Sequence, residues 1–167
     1  MSDEETTQIA LVVNGERTVR TVPVRQHLVD FLRIDLGLTG AHLGCEHGVC
    51  GACSVRVDGA VVRGCLMLAV QADGAEVVTI EGLADTGEIA DLQAAFVERN
   101  ALQCGYCTPG MLMTAAELLR EPAPKSRADI RTFLSGNYCR CTGYHAIIDA
   151  VETTLGKRLQ RRSERKP

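Results

Sequence analysis

Eight cysteines fall into two groups of four, and their spacing constrains the fold more than any other feature of this 167-residue sequence. The first group has the spacing Cys-x4-Cys-x2-Cys followed by a later cysteine: Cys45, Cys50, Cys53 and Cys65. The second group pairs a Cys-x2-Cys with a distant Cys-x-Cys: Cys104, Cys107, Cys139 and Cys141. Because four thiolates can hold one metal centre, each half of the chain is expected to fold around its own site.

The first cysteine loop has the composition of a segment that curls around a metal centre. Gly44, Gly48 and Gly51 punctuate it, and glycine permits the positive φ angles that turn amide N–H groups toward sulfur. An Asp-Gly turn signal at 58–59 then predicts a hairpin whose returning strand delivers Cys65 to the loop. The spacing is that of a plant-type 2Fe-2S site and is unusual for zinc.

The spacing argues against other kinds of metal site more strongly in the first group than in the second. A Rieske centre is disfavoured in the first group, because the residue three positions after Cys65 is Leu68 where that centre needs histidine. Buried structural cysteines are the remaining alternative there. In the second group the spacing alone leaves zinc and iron open. The four histidines are expected to be ordinary structural or surface residues: His27, His42, His47 and His145.

Composition favours metal ligation over disulfide bonds. The first residues, MSDEETTQ, lack the basic and apolar segments of a secretory signal, so we expect a cytoplasmic protein whose thiols stay reduced. We expect no membrane span, because no apolar run approaches the roughly 18 residues that a bilayer requires.

The charge of the chain is uneven along its length. Residues 1–88 carry 13 acidic and 6 basic side chains, whereas residues 89–167 carry 8 acidic and 12 basic ones. Six of these bases lie in residues 157–167, and we expect a solvated basic tail there rather than a docking arm. Nucleic-acid binding is not expected, since the chain lacks a basic stripe with interleaved aromatic residues.

The first half of the sequence is patterned as hairpins around one helix. β-Rich runs at 8–13 and 18–24 flank a turn signal at 14–15, and residues 27–36 show helical spacing with Gly37 as a C-cap. The remaining strands are expected at 54–57, 60–63 and 77–80. This order of elements suggests a β-grasp arrangement.

The second half changes to helical periodicity. Four helices are predicted, around residues 92–99, 112–119, 130–134 and 148–155. The expected signals at their ends are Thr108-Pro109, Ser126 with Asp129, Gly136, Gly156, and the separators Pro122 and Pro124. On this reading one cysteine pair precedes the second helix and the other lies between the third and fourth, so one end of a bundle gathers four thiolates.

Three motifs carry a resemblance to a known family. They are GCEHGVCGAC at 44–53, QCGYCTPG at 103–110 and GNYCRCTGY at 136–144. In their order and separation they resemble the small iron-sulfur subunit of the molybdenum hydroxylases, the xanthine oxidase superfamily. The resemblance implies an α+β chain: a β-grasp, plant-type ferredoxin-like domain at 1–84, a four-helix-bundle 2Fe-2S domain at 85–156, and the tail at 157–167.

The same resemblance implies a function and partners. Each domain would hold one 2Fe-2S cluster, and the chain would pass electrons singly from the molybdopterin of a large subunit through the C-terminal and then the N-terminal cluster. The acceptor would be FAD in a medium subunit, or a cytochrome. A cytosine dinucleotide form of the pterin is expected, as is a heterotrimer or a dimer of heterotrimers. Gln103 and Cys141 match positions beside the pterin.

Catalytic residues for a substrate are not expected in this chain. It shows no Ser/His/Asp set, no Gly-rich phosphate loop after a strand, and no recognisable pair of carboxylates. It would therefore serve as the iron-sulfur subunit of an oxidoreductase complex, without a substrate-transforming site of its own. The alternatives are a freestanding ferredoxin-like electron carrier and a zinc-stabilised adaptor without a redox role.

Overall fold

The computed structural model describes residues 4–120 and 125–164. All the strands lie between residues 6 and 78, and the chain after them is mainly helical. The strands β1 to β5 are Thr6–Val13, Glu16–Pro23, Ser54–Val57, Ala60–Arg63 and Glu76–Val78. The α-helices α1 to α6 are Leu28–Asp30, Ile80–Asp85, Ala90–Glu98, Thr108–Arg120, Arg127–Leu134 and His145–Glu164. Among these described residues, no helix has the length and apolar character needed to cross a membrane.

Two tight turns form the hairpins as predicted. β1 and β2 pair antiparallel around Asn14 and Gly15, both of which have positive φ, at 51° and 85°. β3 and β4 pair in the same way around Asp58 and Gly59, with φ of 47° and 86°. Positive φ at both central residues is the requirement of a type I′ turn, which explains the choice of Asn-Gly and Asp-Gly.

The helix predicted at 27–36 is present but changes its winding. α1 continues directly into a π-helical turn, Phe31–Asp35, in which the amide of Leu36 donates to the carbonyl of Phe31 at 3.3 Å. Gly37 follows with φ of 69°, as expected of a residue that ends a helix. Apolar spacing over ten residues does not distinguish a π turn from an α turn, so the sequence predicts only the segment and its buried face.

The sheet has the order β2-β1-β5-β3-β4, and the β-grasp prediction is confirmed. β1 and β5 pair in parallel, whereas the other neighbours are antiparallel. The helical segment at 28–35 buries four side chains in a core shared with the sheet: Leu28, Val29, Phe31 and Leu32. Burial of these apolar side chains against the strands is what holds the helix across the sheet.

The strand predicted at 77–80 ends earlier than expected. β5 stops at Val78, and Ile80 is the first residue of α2. The side chain of Asn14 competes for the backbone here, because its Oδ1 accepts from the amide of Thr79 at 2.8 Å. The backbone therefore leaves the ladder two residues before the apolar pattern ends.

The four helices predicted for the second half are confirmed as α3 to α6, and α2 is an addition. α4 is the central helix: it packs against α3, α5 and β3, and buries nine residues, including Met111, Met113 and Leu118. α6 packs along α3 and α5. Because α4 also lies on β3 and β4, the helical part and the sheet share a packed boundary.

Some of the predicted helix ends are confirmed and one is wrong. The Ser126–Asp129 capping box is confirmed, since Asp129 N donates to Ser126 Oγ at 3.2 Å and Ser126 N donates to Asp129 Oδ2 at 2.8 Å. α4 starts at Thr108 itself, which places Pro109 in the first turn, where a missing N–H costs nothing. Gly156 is wrong as a C-cap, because α6 continues past it. Pro122 and Pro124 lie outside the described residues.

The described part of the basic segment, 157–164, is mostly exposed, but it continues α6 as far as Glu164 and does not form an irregular tail. Arg158 explains the difference, since its guanidinium donates to both carboxylate oxygens of Asp91 at 2.6 and 2.9 Å, and to the carbonyl of Glu88 at 2.9 Å. Arg158 and Asp91 are each less than a quarter exposed. This bidentate pair fastens α6 to the start of α3.

We predict that Arg158→Ala lowers the free energy of unfolding by about 1 to 2 kcal/mol, because three charge-assisted hydrogen bonds are lost from a partly buried site. Urea unfolding of the cluster-loaded chain followed by circular dichroism measures the change. Arg162→Ala is the matched control, since Arg162 is exposed on the same helix and should shift stability by less than about 0.5 kcal/mol. Equal losses in the two variants would contradict the role given to Arg158.

Candidate metal centres

The loop that carries the first three cysteines curls through residues with positive φ. Glu46, Gly48 and Gly51 have φ of 58°, 82° and 75°. A Cβ at Gly44 would lie 3.1 Å from the sulfur of Cys50, so a side chain at this position would crowd the thiol. The loop geometry predicted from these glycines is therefore present.

The hairpin of β3 and β4 brings the fourth thiol to this loop, as predicted. The amide of Gly64 donates to the carbonyl of Cys53 at 3.1 Å, which sets the two cysteines beside one another. The thiol of Cys65 lies close enough to that of Cys53 to raise its pKa. Cys45 and Cys50 form a second neighbouring pair, in which the amide of Cys50 donates to the sulfur of Cys45 at 3.4 Å.

The two pairs differ in electrostatic environment. The amides of Cys50 and then His47 stabilise the thiolate of Cys45 and lower its pKa to about 6. Burial raises the pKa of Cys53 to about 11, and the neighbouring thiol of Cys65 adds to the shift. Backbone amides thus favour a thiolate at the outer edge of the loop, whereas at the inner edge a cationic metal must supply the stabilisation that water cannot.

The second group of thiols gathers at one end of the helical part, as predicted. Cys104 and Cys107 precede α4, and the other two lie between α5 and α6. The sulfur atoms of Cys104 and Cys141 are 3.5 Å apart, and the thiol of Cys139 lies close enough to that of Cys107 to raise its pKa. This group also consists of two neighbouring pairs.

Hydrogen bonds and burial act in opposite directions on these thiols. Burial raises the pKa of Cys107 to about 12. Burial would also raise the pKa of Cys139, but the hydroxyl and the amide of Thr142, at 3.1 and 3.4 Å from its sulfur, outweigh that effect and the pKa is lowered. The amide of Tyr106 lowers the pKa of Cys104 in the same way.

The donor sets fit a binuclear cluster better than a single ion. A mononuclear zinc site requires four ligands around one point, whereas a 2Fe-2S cluster takes two thiolates on each of two irons. The arrangement in two pairs matches the second requirement at both sites.

A buried hydroxyl supports the same fit at the second site. Thr108 Oγ1, next in sequence to Cys107, is inaccessible to solvent and makes no hydrogen bond to the described residues. A buried polar atom without a partner is costly, and a sulfur atom of a bound cluster would be an acceptor for this hydroxyl.

The two sites differ in exposure. Cys53 and Cys65 are buried, whereas Cys104 and Cys141 are exposed. Gln103, which the family resemblance places beside a pterin, is exposed next to Cys104. The second group therefore lies at the surface of the chain on the side that carries Gln103 and Cys141.

Direct contacts join the two cysteine loops. The amide of Tyr138 donates to the carbonyl of Cys50 at 2.8 Å, and the side chain of Asn137 donates to the carbonyl of Gly51 at 3.1 Å. Sequence patterning does not mark Asn137 as a site residue. Asn137 lies inside the 136–144 motif, but neither periodicity nor composition marks it, because its partners are distant in sequence.

The histidines have structural contacts rather than a ligand arrangement. His42 stacks on Tyr106 with ring centroids 4.6 Å apart, and its Nδ1 lies 2.7 Å from the carbonyl oxygen of Tyr106. His47 contacts the carbonyl of Cys45 through its Nδ1. The His42 contact adds a third link between the two loops.

Comparison with family models covers both halves of the chain. Residues 11–80 match a model described as a 2Fe-2S iron-sulfur cluster binding domain, and residues 79–152 match a model described as a 2Fe-2S binding domain. These matches confirm two iron-sulfur domains and decide against zinc at the second site.

Individual relatives match over nearly the full length. Caffeine dehydrogenase subunit gamma of Pseudomonas sp. (strain CBB1) is 52% identical and covers 87% of this chain and 89% of its own length. The nicotine 6-hydroxylase small subunit of Paenarthrobacter nicotinovorans is 50% identical, with 93% and 94% covered. A chain of quinoline 2-oxidoreductase from Pseudomonas putida 86 superposes with a TM-score of 0.85 at 47% identity, with 93% and 97% covered.

The geometry of the two thiol groups, both family models and these relatives agree with the three motifs of the sequence. The chain belongs to the family of small iron-sulfur subunits of the molybdenum hydroxylases.

Proposed function

We propose that the chain conducts electrons, one at a time, between the molybdopterin centre of a large subunit and an acceptor in another subunit. The observation that carries this proposal is the direct contact between the two loops that carry complete sets of four thiols, one in each half. Two adjacent one-electron centres can connect a two-electron reaction at one partner to a second partner.

The proposed ligands of the first cluster are Cys45, Cys50, Cys53 and Cys65, and those of the second are Cys104, Cys107, Cys139 and Cys141. When bound, a 2Fe-2S cluster supplies reversible one-electron oxidation and reduction. The chain supplies the surroundings that tune it: burial around Cys53, and amide or hydroxyl donors around Cys45 and Cys139.

The exposure of the two sites supports a direction for transfer. Because Cys104 and Cys141 are exposed next to Gln103, we propose that this surface faces the molybdopterin, in its cytosine dinucleotide form. The first cluster would then pass electrons to FAD in a medium subunit or to another acceptor. The name of one relative, caffeine dehydrogenase subunit gamma, supports assembly with further chains. A heterotrimer or its dimer, in the cytoplasm, completes the proposal.

A freestanding carrier is the second candidate, and exposed apolar side chains argue against it. Leu102, Tyr106 and Tyr138 are 38%, 49% and 55% exposed in the segments that carry the second group of thiols. Apolar side chains exposed in the same segments as an exposed thiol pair support a face that a partner covers.

Anaerobic purification of the chain from its native host tests the proposal. We expect stoichiometric molybdenum and partner chains in the same complex, and reduction of both clusters when the complex meets its oxidisable substrate. A chain that elutes alone with both clusters intact would support the freestanding carrier and reject the subunit role.

We predict that the ligand sets are separable by mutation. Cys65→Ala should remove the first cluster and Cys139→Ala the second, each lowering iron from about four to about two atoms per chain. Electron paramagnetic resonance of the reduced chain should then show one signal in each variant. The signal should differ between the two variants, because each keeps a different cluster. Leu66→Ala and Tyr138→Phe are neighbouring controls that should keep both signals. Loss of both signals in each variant would show that the two sites are not independent.

The exposed guanidinium of Arg140, between two proposed ligands, should favour the reduced state of the second cluster, because reduction adds a negative charge. We predict that Arg140→Ala lowers its midpoint potential by about 10 to 40 mV, the size expected of an exposed charge pair worth about 0.2 to 1 kcal/mol. A redox titration measures the change, and Arg140→Lys should restore the potential. A raised or unchanged potential in Arg140→Ala would refute this role.

A further inference from the structure

Asn137 occupies the junction between the two cysteine loops and is 1% exposed. Its Nδ2 donates to the carbonyl of Gly51, which lies between Cys50 and Cys53, at 3.1 Å. Its own backbone belongs to the segment that leads into Cys139. One buried side chain therefore links the segment of the first site to that of the second.

The other atoms of the Asn137 amide are also engaged. Its Oδ1 accepts from the hydroxyl of Thr114, on α4, at 3.0 Å and from the guanidinium of Arg63, on β4, at 3.4 Å. Arg63 also donates to the carbonyl of Gly136 at 2.8 Å. These contacts hold the asparagine amide in one orientation, with its N–H group directed at Gly51.

Gly51 is confined from the opposite side. A Cβ at Gly110, in α4, would lie 2.2 Å from the carbonyl oxygen of Gly51, so the helix and the loop are in direct backbone contact. The hydroxyl of Ser54 donates to the same carbonyl at 2.6 Å. The carbonyl of Gly51 is thus held by close contacts with the helix, Ser54 and Asn137, and these contacts fix the position of the first loop against the helical part.

A short connection between the two thiol groups depends on this junction. The carbonyl of Cys50 accepts from the amide of Tyr138 at 2.8 Å, and Tyr138 is bonded to Cys139. One hydrogen bond and one peptide bond therefore separate the backbone of a proposed ligand of the first cluster from that of a proposed ligand of the second. Asn137 precedes Tyr138 and Gly51 follows Cys50, so each is the sequence neighbour of one partner in this hydrogen bond.

We propose that Asn137 is a positioning residue for electron transfer between the clusters: its bond to Gly51 holds the carbonyl of Cys50 against the amide of Tyr138. The inference rests on the proposed function in requiring both clusters, but not on the identity of the partner subunits. The step moves one electron from the second centre, which is oxidised, to the first, which is reduced. No bond or proton changes place.

Asn137→Asp tests the proposal in the full-length chain, purified with its clusters. The variant has the same shape and keeps the oxygen that accepts from Thr114, while it loses the N–H that donates to Gly51. Arg63 can pair with the new carboxylate, so the fold should persist. The carboxylate would repel the carbonyl of Gly51 and open the junction.

Two readouts separate positioning from a purely structural role. Electron paramagnetic resonance of the fully reduced chain should show weaker magnetic interaction between the two clusters, and pulsed reduction should show slower transfer between them. Iron content should stay as in the parent chain, because no ligand is changed. The added carboxylate should lower both midpoint potentials, because reduction of either cluster then places a second negative charge nearby. An interaction and a rate equal to those of the parent would overturn the proposal.

Two further variants keep the test decisive. Thr114→Val removes a donor to Asn137 without adding charge. We expect the magnetic interaction and the transfer rate to decrease, but by less than in Asn137→Asp. If Asn137→Asp loses its clusters, Thr114→Val takes its place in the test. An unchanged magnetic interaction and transfer rate in Thr114→Val would then overturn the proposal. Tyr106→Phe is the control, since it removes another hydrogen bond between the halves, from Tyr106 to the carbonyl of Leu43 at 2.9 Å, and should change neither readout. A parent chain without two clusters would instead reject the proposed function.

Discussion

The close backbone contact at Gly51 is the constraint on which the relation between the two sites depends. A Cβ at Gly51 would lie 2.6 Å from the carbonyl oxygen of Gly136, and one at Gly110 would lie 2.2 Å from the carbonyl oxygen of Gly51. Glycine at both positions lets the loop of the first site approach the helical part from two sides. Side chains at these positions would force the loop and the helical part apart, and with them the two sets of thiols.

Hydrogen bonding and burial have opposite effects on the thiolates of the two sites. The backbone of the first loop stabilises the outer thiolate, as the lowered pKa of Cys45 shows, while burial opposes ionisation at Cys53. Thr142 and burial have the corresponding opposed effects at Cys139. Because buried thiolates of like charge repel one another, binding of the cluster and folding of each loop should be strongly coupled.

Local signals predicted most of the fold. The turns at 14–15 and 58–59, the Ser126 capping box and the helices α3 to α6 follow from side chains that interact within a few residues. The differences arise where a distant partner intervenes. Asn14 draws Thr79 out of the ladder and lets α2 begin at Ile80, and Asp91 holds Arg158 so that α6 continues through Gly156. Periodicity contains no information about partners 65 or 67 residues away.

The sequence by itself determined which residues offer thiolates and that they form two groups, because loop spacing and turn residues are local properties of the chain. Tertiary structure decided the pairing of the thiols, the burial of Cys53 against the exposure of Cys104, and the adjacency of the two loops. Asn137 and Gly51 are separated by 86 positions, and only packing of α4 on the sheet brings them together. Such contacts depend on the shape of the assembled core, which no single segment specifies.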